Sequence, residues 1–238
     1  MFLAMWGAVM VGRRIAAGVL AAFMLAGCGA LEDLAGLDPA NGGTGSGATT
    51  EKVDVAKARD GLEKLPVKGR APKTGFDRDK FGPAWADVDR NGCDTRNDIL
   101  KRDLVDETFK EGTHGCIVLT GILKDPYSGK TIEFKRGRDT STAVQIDHVV
   151  ALADAWQKGA QQWDAERRKR FANDPLNLLA VDGSLNSQKG AADAATWLPP
   201  RRAFRCAYVA RQIEVKVKYE LWVTRAEKEA MERVLDSC

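Results

Sequence analysis

The sequence has little histidine, the side chain that most often serves as the base beside a serine or cysteine nucleophile. Only two of its 238 residues are histidines. His114 lies in Gly112-Thr-His-Gly115, which is typical of a loop, and no serine or cysteine nucleophile motif accompanies either histidine. A serine or cysteine triad is therefore disfavoured, and His148 is the imidazole left for chemistry.

Long apolar runs are also scarce. The run Ile15–Leu25 follows Arg13-Arg14 and precedes Leu25-Ala-Gly-Cys28. It is short for a membrane span and has the flanks of an export signal. We predict a lipoprotein signal peptide at 1–27, a lipid on Cys28, a flexible Gly/Ser/Ala-rich tether at 28–50 and one globular domain at 51–238. An uncleaved N-terminal membrane helix is the alternative.

Cysteine is limited to five residues, and none of the spacings is Cys-x-x-Cys, so structural zinc is not expected. Besides Cys28, four remain, and an even number in an exported domain favours two disulfides. Three pairings are possible. The pairing that closes two local loops, Cys93–Cys116 with Cys206–Cys238, is favoured.

Excess charge is small, with 36 basic and 33 acidic residues, and the total does not indicate a polyanion partner. Local basic clusters occur at 135–138, 167–170 and 201–202, and phosphate binding needs such clusters. A solvated helix face explains 167–170 equally well.

Hydrophobic periodicity predicts an α+β domain. Helices are expected near 52–65, 97–104, 150–158, 164–172 and from 184, with a long amphipathic helix after Pro200 and a last one starting at a Thr224/Glu227 capping box. Strands are expected at 116–123 and 131–134, forming a hairpin, and at 143–150 and 178–181. The aromatic residues of the long helix are expected to be core.

The central segment carries polar residues in a fixed order. The strand 143–150 contains Asp147-His148, followed by Asn177 and then by Asn186 with Lys189. The dipeptide alone would fit a strand-end turn with a surface histidine, but the order Asp-His, Asn, Asn with Lys resembles HNH nucleases of the ββα-metal type.

A fuller resemblance covers four blocks, at 91–100, 146–152, 171–179 and 196–200. These blocks resemble secreted actinobacterial HNH proteins related to the C-terminal domain of GmrSD restriction enzymes. The resemblance implies a ββα-metal core elaborated by helices and a β-hairpin, with His148 as general base and Asn177 bracing the loop that bears it. It implies one divalent ion, Mg²⁺ with Mn²⁺ or Ca²⁺ as alternatives, held by Asp147 and Asn186.

Adjacent strand residues point to opposite faces, so Asp147 and His148 could not face one ligand in an ideal strand. We therefore predict that the strand turns between them. Lys189, Arg96 and Arg138 are predicted to contact nucleic acid, Arg96 through its planar fork.

A second candidate site is Asp87–Asp98, whose Asp-x-Asp-x-Asn-Gly pattern matches part of an EF-hand loop. An aspartate at position twelve and another at the normally apolar position eight depart from that pattern.

The sequence thus predicts an exported, lipid-anchored, monomeric, metal-dependent endonuclease acting on DNA, with RNA as an alternative substrate and no protein partner evident. The alternatives are a non-catalytic envelope lipoprotein with the same fold and a calcium-stabilised module centred on Asp87–Asp98.

Overall fold

The computed structural model describes residues 53–238. The predicted signal peptide, Cys28 and the tether lie outside the described residues. Within residues 53–238 no helix is long and apolar enough to span a membrane.

Within residues 53–238, five strands form two antiparallel sheets. Strands β1 (Leu104–Phe109), β2 (Val118–Lys124) and β3 (Thr131–Lys135) form one sheet in the order β1-β2-β3. Strands β4 (Val144–His148) and β5 (Leu178–Asp182) form the other. The predicted hairpin is confirmed as β2–β3, whereas β1 was not expected.

Seven helices surround the sheets within the described part of the chain. They are α1 (Val55–Lys64), α2 (Thr95–Asp103), α3 (Leu152–Gln157), α4 (Ala165–Ala172), α5 (Gly183–Lys189), α6 (Arg205–Lys218) and α7 (Arg225–Asp236). A short 3₁₀ helix at Arg78–Phe81 packs on α4. The predicted capping box is present, with Thr224 and Glu227 bonding each other's backbone. The α+β prediction is confirmed.

The β4–β5 hairpin separates two cores because side chains alternate along each strand. Val144, Ile146, Leu178 and Ala180 face a core that includes α2 and the three-stranded sheet. Val149, Leu179 and Val181 face a core built with α1, α6 and α7. Tyr208 of α6 is fully buried in this second core, as its helical periodicity predicted.

Helix α5 lies directly against the start of β4. A Cβ atom at Gly183 would lie 2.0 Å from the backbone oxygen of Thr142, so only glycine fits where α5 begins. This close approach brings Asn186 and Lys189 alongside β4 and completes a strand–strand–helix unit, β4-β5-α5.

A buried charge network joins α3, α6 and α7. Lys158 lies within 2.8 Å of oxygen atoms of Asp154, Asp193 and Glu227, all of them buried. The network also includes Lys216 and Arg70, whose side chain is 35% exposed, so that three cations face three carboxylates. The charges balance, which is the condition under which buried ions are tolerated.

Candidate active site

Asp147 and His148 end β4 on opposite faces of the hairpin. The β4–β5 pairing continues to the last residue of the strand, with Asp147 opposite Leu179 and His148 opposite Leu178. The prediction that the strand turns between the two residues is therefore wrong. Regular pairing with β5 holds the strand straight, and alternation sends the carboxylate towards α5 and the imidazole towards the α2 side.

The imidazole of His148 is oriented by one backbone group. Its Nε2 atom lies 2.8 Å from the carbonyl oxygen of Ala172, the last residue of α4. A carbonyl can only accept, so Nε2 carries the hydrogen and donates. In the neutral ring, Nδ1 is then the atom with a free lone pair.

The environment of His148 favours this neutral form. Burial lowers its pKa to about 4, against the opposing effects of the Ala172 carbonyl and the Asp147 charge. The positive charges of Arg78 and Lys189 lower the pKa further. His148 is thus an uncharged proton acceptor at neutral pH.

Two residues beside His148 were not identified from the sequence. The indole of Trp85 lies nearly parallel to the imidazole, with ring centroids 6.2 Å apart and planes 16° apart. Arg78, in the 3₁₀ helix packed on α4, is exposed and makes no ion pair with residues 53–238. Trp85 packs on His148 and the charge of Arg78 acts on it, but both residues are distant from His148 in sequence and no local pattern signals them.

Asn177 joins the segment that follows His148. Its Oδ1 accepts from the backbone N–H of Val150 at 2.8 Å, and its Nδ2 donates to the Val150 carbonyl at 3.2 Å. Its own carbonyl accepts from Val149 N at 2.8 Å. The side chain is fully buried and makes the bracing contacts that the HNH resemblance implies.

Asp147 is enclosed in the second core. One carboxylate oxygen lies 2.9 Å from Nζ of Lys189, and the other accepts from the Tyr127 hydroxyl at 2.6 Å. Lys189 also donates to the His148 carbonyl at 2.8 Å. Asp147 is only 4% exposed. Burial and the Asp147 charge raise the pKa of Tyr127, so the phenol stays a donor.

The predicted metal ligands are therefore not equivalent. Asn186 is half-buried, its Nδ2 donates to Gln145 at 2.8 Å, and its Oδ1 has no hydrogen-bond partner in residues 53–238. Its amide oxygen could serve as a ligand. Asp147 is poorly suited to a metal ion, because the Lys189 ammonium 2.9 Å from one oxygen repels a second cation and the Tyr127 hydroxyl bonds the other oxygen. The Asp147–Asn186 pair does not fit a metal ion in this arrangement, and in the described region no three His, Cys, Asp or Glu residues are grouped to hold one.

The basic residues divide into internal and exposed groups. Arg96 is half-buried over the Phe134 ring at 5.8 Å, and burial followed by the Arg136 charge lowers its pKa. Lys189 is buried, whereas Arg138 is exposed and has no hydrogen bond within the described residues. Arg136, Arg167 and Arg168 bond backbone carbonyls of the protein itself. Three of the seven basic side chains in the predicted clusters at 135–138 and 167–170 are thus used structurally.

The acidic loop at Asp87–Asp98 binds its own backbone. The carboxylate oxygens of Asp87 accept from Asn91 N and Gly92 N at 3.2 and 3.0 Å, and Asn91 Nδ2 donates to Asp98 at 3.1 Å. Burial and the neighbouring carboxylates raise the pKa of Asp98, against the Asn91 hydrogen bond that lowers it.

Two disulfides have the predicted pairing. Cys93 is bonded to Cys116, and Cys206 to Cys238. The first ties the segment after Trp85 to the approach of β2, and the second fixes the end of α7 to the start of α6.

Comparison with known proteins agrees with this architecture. The family described as GmrSD restriction endonucleases, C-terminal domain, matches residues 94–234. An uncharacterized secreted protein of Arthroderma benhamiae is 37% identical over 186 residues, which cover 77% of this chain and 86% of the relative. No solved structure matches significantly. The matched region includes β4, β5, α5 and every residue of the predicted Asp-His, Asn, Asn-Lys order, and the chain belongs to the family of GmrSD restriction endonuclease C-terminal domains.

Proposed function

We propose that the protein is an exported HNH endonuclease that hydrolyses phosphodiester bonds of DNA, with His148 as the general base. Membership of a restriction endonuclease family supports a nuclease. The observation that carries the role of His148 is its Nε2 contact with the Ala172 carbonyl, because that contact leaves Nδ1 free to take a proton.

In this mechanism each residue has a separate task. Nδ1 of His148 accepts a proton from the attacking water, and the imidazolium that forms is stabilised by the Nε2–H bond to Ala172. Asn177 holds the strand end that carries the histidine. Arg78, whose charge acts on His148, is placed to attract the scissile phosphate.

The proposal includes a divalent metal ion. The HNH resemblance calls for a divalent cation, Mg²⁺ first and Mn²⁺ or Ca²⁺ as alternatives. Such an ion would neutralise phosphate charge. Because Lys189 and Tyr127 hold the Asp147 carboxylate, Asp147 does not fit the ion in this arrangement.

Export and anchoring rest on separate observations. Two disulfides are typical of oxidising compartments, and the Arthroderma relative is a secreted protein. Lipid attachment at Cys28 rests on the lipobox alone. DNA is the preferred substrate, with RNA as an alternative, and Arg96 and Arg138 are proposed as phosphate contacts away from the reacting bond.

Plasmid cleavage with matched histidine variants tests the proposal. The wild-type protein should nick supercoiled plasmid. His148→Ala should lower the rate at least about a hundredfold, in line with the usual contribution of a general base, while DNA binding persists. His114→Ala is the control, because that histidine is exposed in a loop and should leave the rate unchanged. A chelator arm tests the metal requirement.

Two results would contradict the proposal. Cleavage by His148→Ala at the wild-type rate would move the active site elsewhere, with Asp87–Asp98 as the next candidate. Plasmid and RNA left intact by wild-type protein under every divalent ion would favour a non-catalytic envelope lipoprotein.

A further inference from the structure

Trp85 holds a backbone conformation that a large side chain rarely adopts. Its φ is 59°, in the left-handed region, where a residue other than glycine has an energetic cost. Glycine would take this conformation without that cost. Positions of this kind are frequent at functional sites, and Trp85 differs from the other positive-φ side chains in that its ring packs on the imidazole of His148.

The surrounding structure fixes this conformation. The Trp85 carbonyl accepts from Thr95 N at 3.4 Å, and the Ala86 carbonyl accepts from Thr95 Oγ1 at 2.5 Å. The Cys93–Cys116 disulfide holds the same segment from its other end. The segment that carries the indole is therefore held by hydrogen bonds to the start of α2 and by the disulfide.

The indole lies next to the His148 imidazole and at the edge of a core rather than deep inside one. Trp85 only borders the core on the α2 side and is half-buried. Trp156, in contrast, is buried among Phe76 and Phe81. The half-exposed ring of Trp85, the His148 imidazole and Arg78 are of the three kinds that a nucleotide engages: a π surface, a base for the water and a cation for the phosphate. Arg78 has no ion pair among residues 53–238, and its charge acts on His148.

We propose that Trp85 is a substrate-positioning residue whose indole stacks on a nucleobase next to the scissile phosphate. This inference rests on the proposed nuclease function. Stacking of a base on an aromatic side chain tolerates every sequence, since all bases have a π face. Stacking on Trp85 would let a nuclease without sequence preference bind its substrate without a separate base-reading module.

The decisive experiment compares two ligands that differ only in their bases, with chelator present to prevent cleavage. One ligand is a short oligo(dT), and the other is an abasic deoxyribose-phosphate oligomer of the same length. The wild-type protein should bind oligo(dT) at least about fivefold more tightly, the lower bound for one stacked base. Trp85→Leu should reduce this preference towards one, and Trp85→Phe should retain most of it.

The matched control is Trp222→Leu. Trp222 is another half-buried indole, bonded to Gly69 O and lying under Lys68, and its loss should leave the preference unchanged. In cleavage assays Trp85→Leu should raise KM, with kcat within a few-fold of wild type. Unchanged preference in Trp85→Leu overturns the proposal, and so does a fall in kcat at constant KM, because the indole would then act only on His148.

A fluorescence measurement decides the matter if Trp85→Leu fails to fold. Oligo(dT) should quench tryptophan emission of the wild-type protein, and Trp85→Phe should lose that quench. A quench that persists in Trp85→Phe overturns the stacking contact. Base preference without cleavage would contradict the nuclease proposal alone, whereas cleavage without base preference would contradict the role of Trp85 alone.

Discussion

Nζ of Lys189 lies 2.9 Å from Oδ1 of Asp147, and neither side chain is more than 5% exposed. The ammonium occupies the side of Asp147 that a metal ion would need. The two charges compensate each other inside the core, and the Tyr127 hydroxyl satisfies the second carboxylate oxygen. The pair fastens α5 to the end of β4 while His148 works from the opposite face.

Lys189→Met should therefore destabilise the protein strongly, by about 3–5 kcal/mol, because it leaves a buried carboxylate without its cation. Replacing both partners, as Asp147→Asn with Lys189→Met, should recover much of the loss. Urea denaturation gives both free energies. Lys57→Met is the control, because its ion pair with Glu214 is exposed and should matter little.

The same variant reports on metal binding without any activity assay. Lys189→Met frees one oxygen of Asp147, so millimolar Mn²⁺ or Mg²⁺ should raise its melting temperature more than that of the wild-type protein. An equal rise in both proteins would mean that Lys189 does not block the ion. A wild-type rise that disappears in Asp147→Asn would place the metal at Asp147 despite the ion pair.

Asn177→Ala should loosen the segment that follows His148. The change removes the hydrogen bonds to both backbone groups of Val150, and buried groups left without partners cost about 1–3 kcal/mol each. Faster amide exchange at Val150 and slower cleavage should accompany the lower stability. Asn177→Asp keeps the acceptor but replaces the donor, so it should also fail. Wild-type exchange at Val150 in either variant would contradict the bracing role.

Local sequence patterns predicted most of the secondary structure because the decisive interactions are local. Apolar periodicity located α4 and α6, and the Thr224/Glu227 capping box located α7. The disulfide pairing followed from loop closure. Strand β1 was missed because its Val105-Asp-Glu-Thr stretch lacks alternating apolar residues and its pairing with β2 is irregular, with two register shifts.

The sequence predicted several residues of the candidate site, but not the directions in which their side chains point. The roles of Asp147, His148, Asn177 and Asn186 were predicted from the resemblance. The side of the hairpin on which Asp147 and His148 lie depends on how far β4 stays paired with β5. Strand alternation had already indicated opposite faces for Asp147 and His148. Trp85 and Tyr127 reach the site through tertiary packing, which no local pattern encodes.

Cys28→Ala should release the protein from membranes or leave the precursor uncleaved. The prediction follows from Leu25-Ala-Gly-Cys28 behind an arginine-flanked apolar run, in which the Cys28 thiol would carry the lipid. Fractionation and intact mass of wild type and variant measure it. Identical mass and distribution in the two proteins would show that Cys28 carries no lipid.

Cleavage should depend on pH only on the acid side. Because burial lowers the pKa of His148 to about 4, the imidazole is neutral and able to accept a proton throughout the neutral range. The rate should be nearly flat from neutral pH down to about pH 5 and fall as the pH drops through 4, where the ring becomes protonated. An unperturbed histidine would place that fall near pH 6.5.

A His114→Gln background leaves one imidazole, whose pKa proton NMR can measure directly, and circular dichroism over the same range separates titration from acid unfolding. An NMR midpoint and a rate midpoint that both lie near 6.5 would mean that the ring is solvated rather than enclosed. Midpoints that disagree with each other would mean that another group limits the rate.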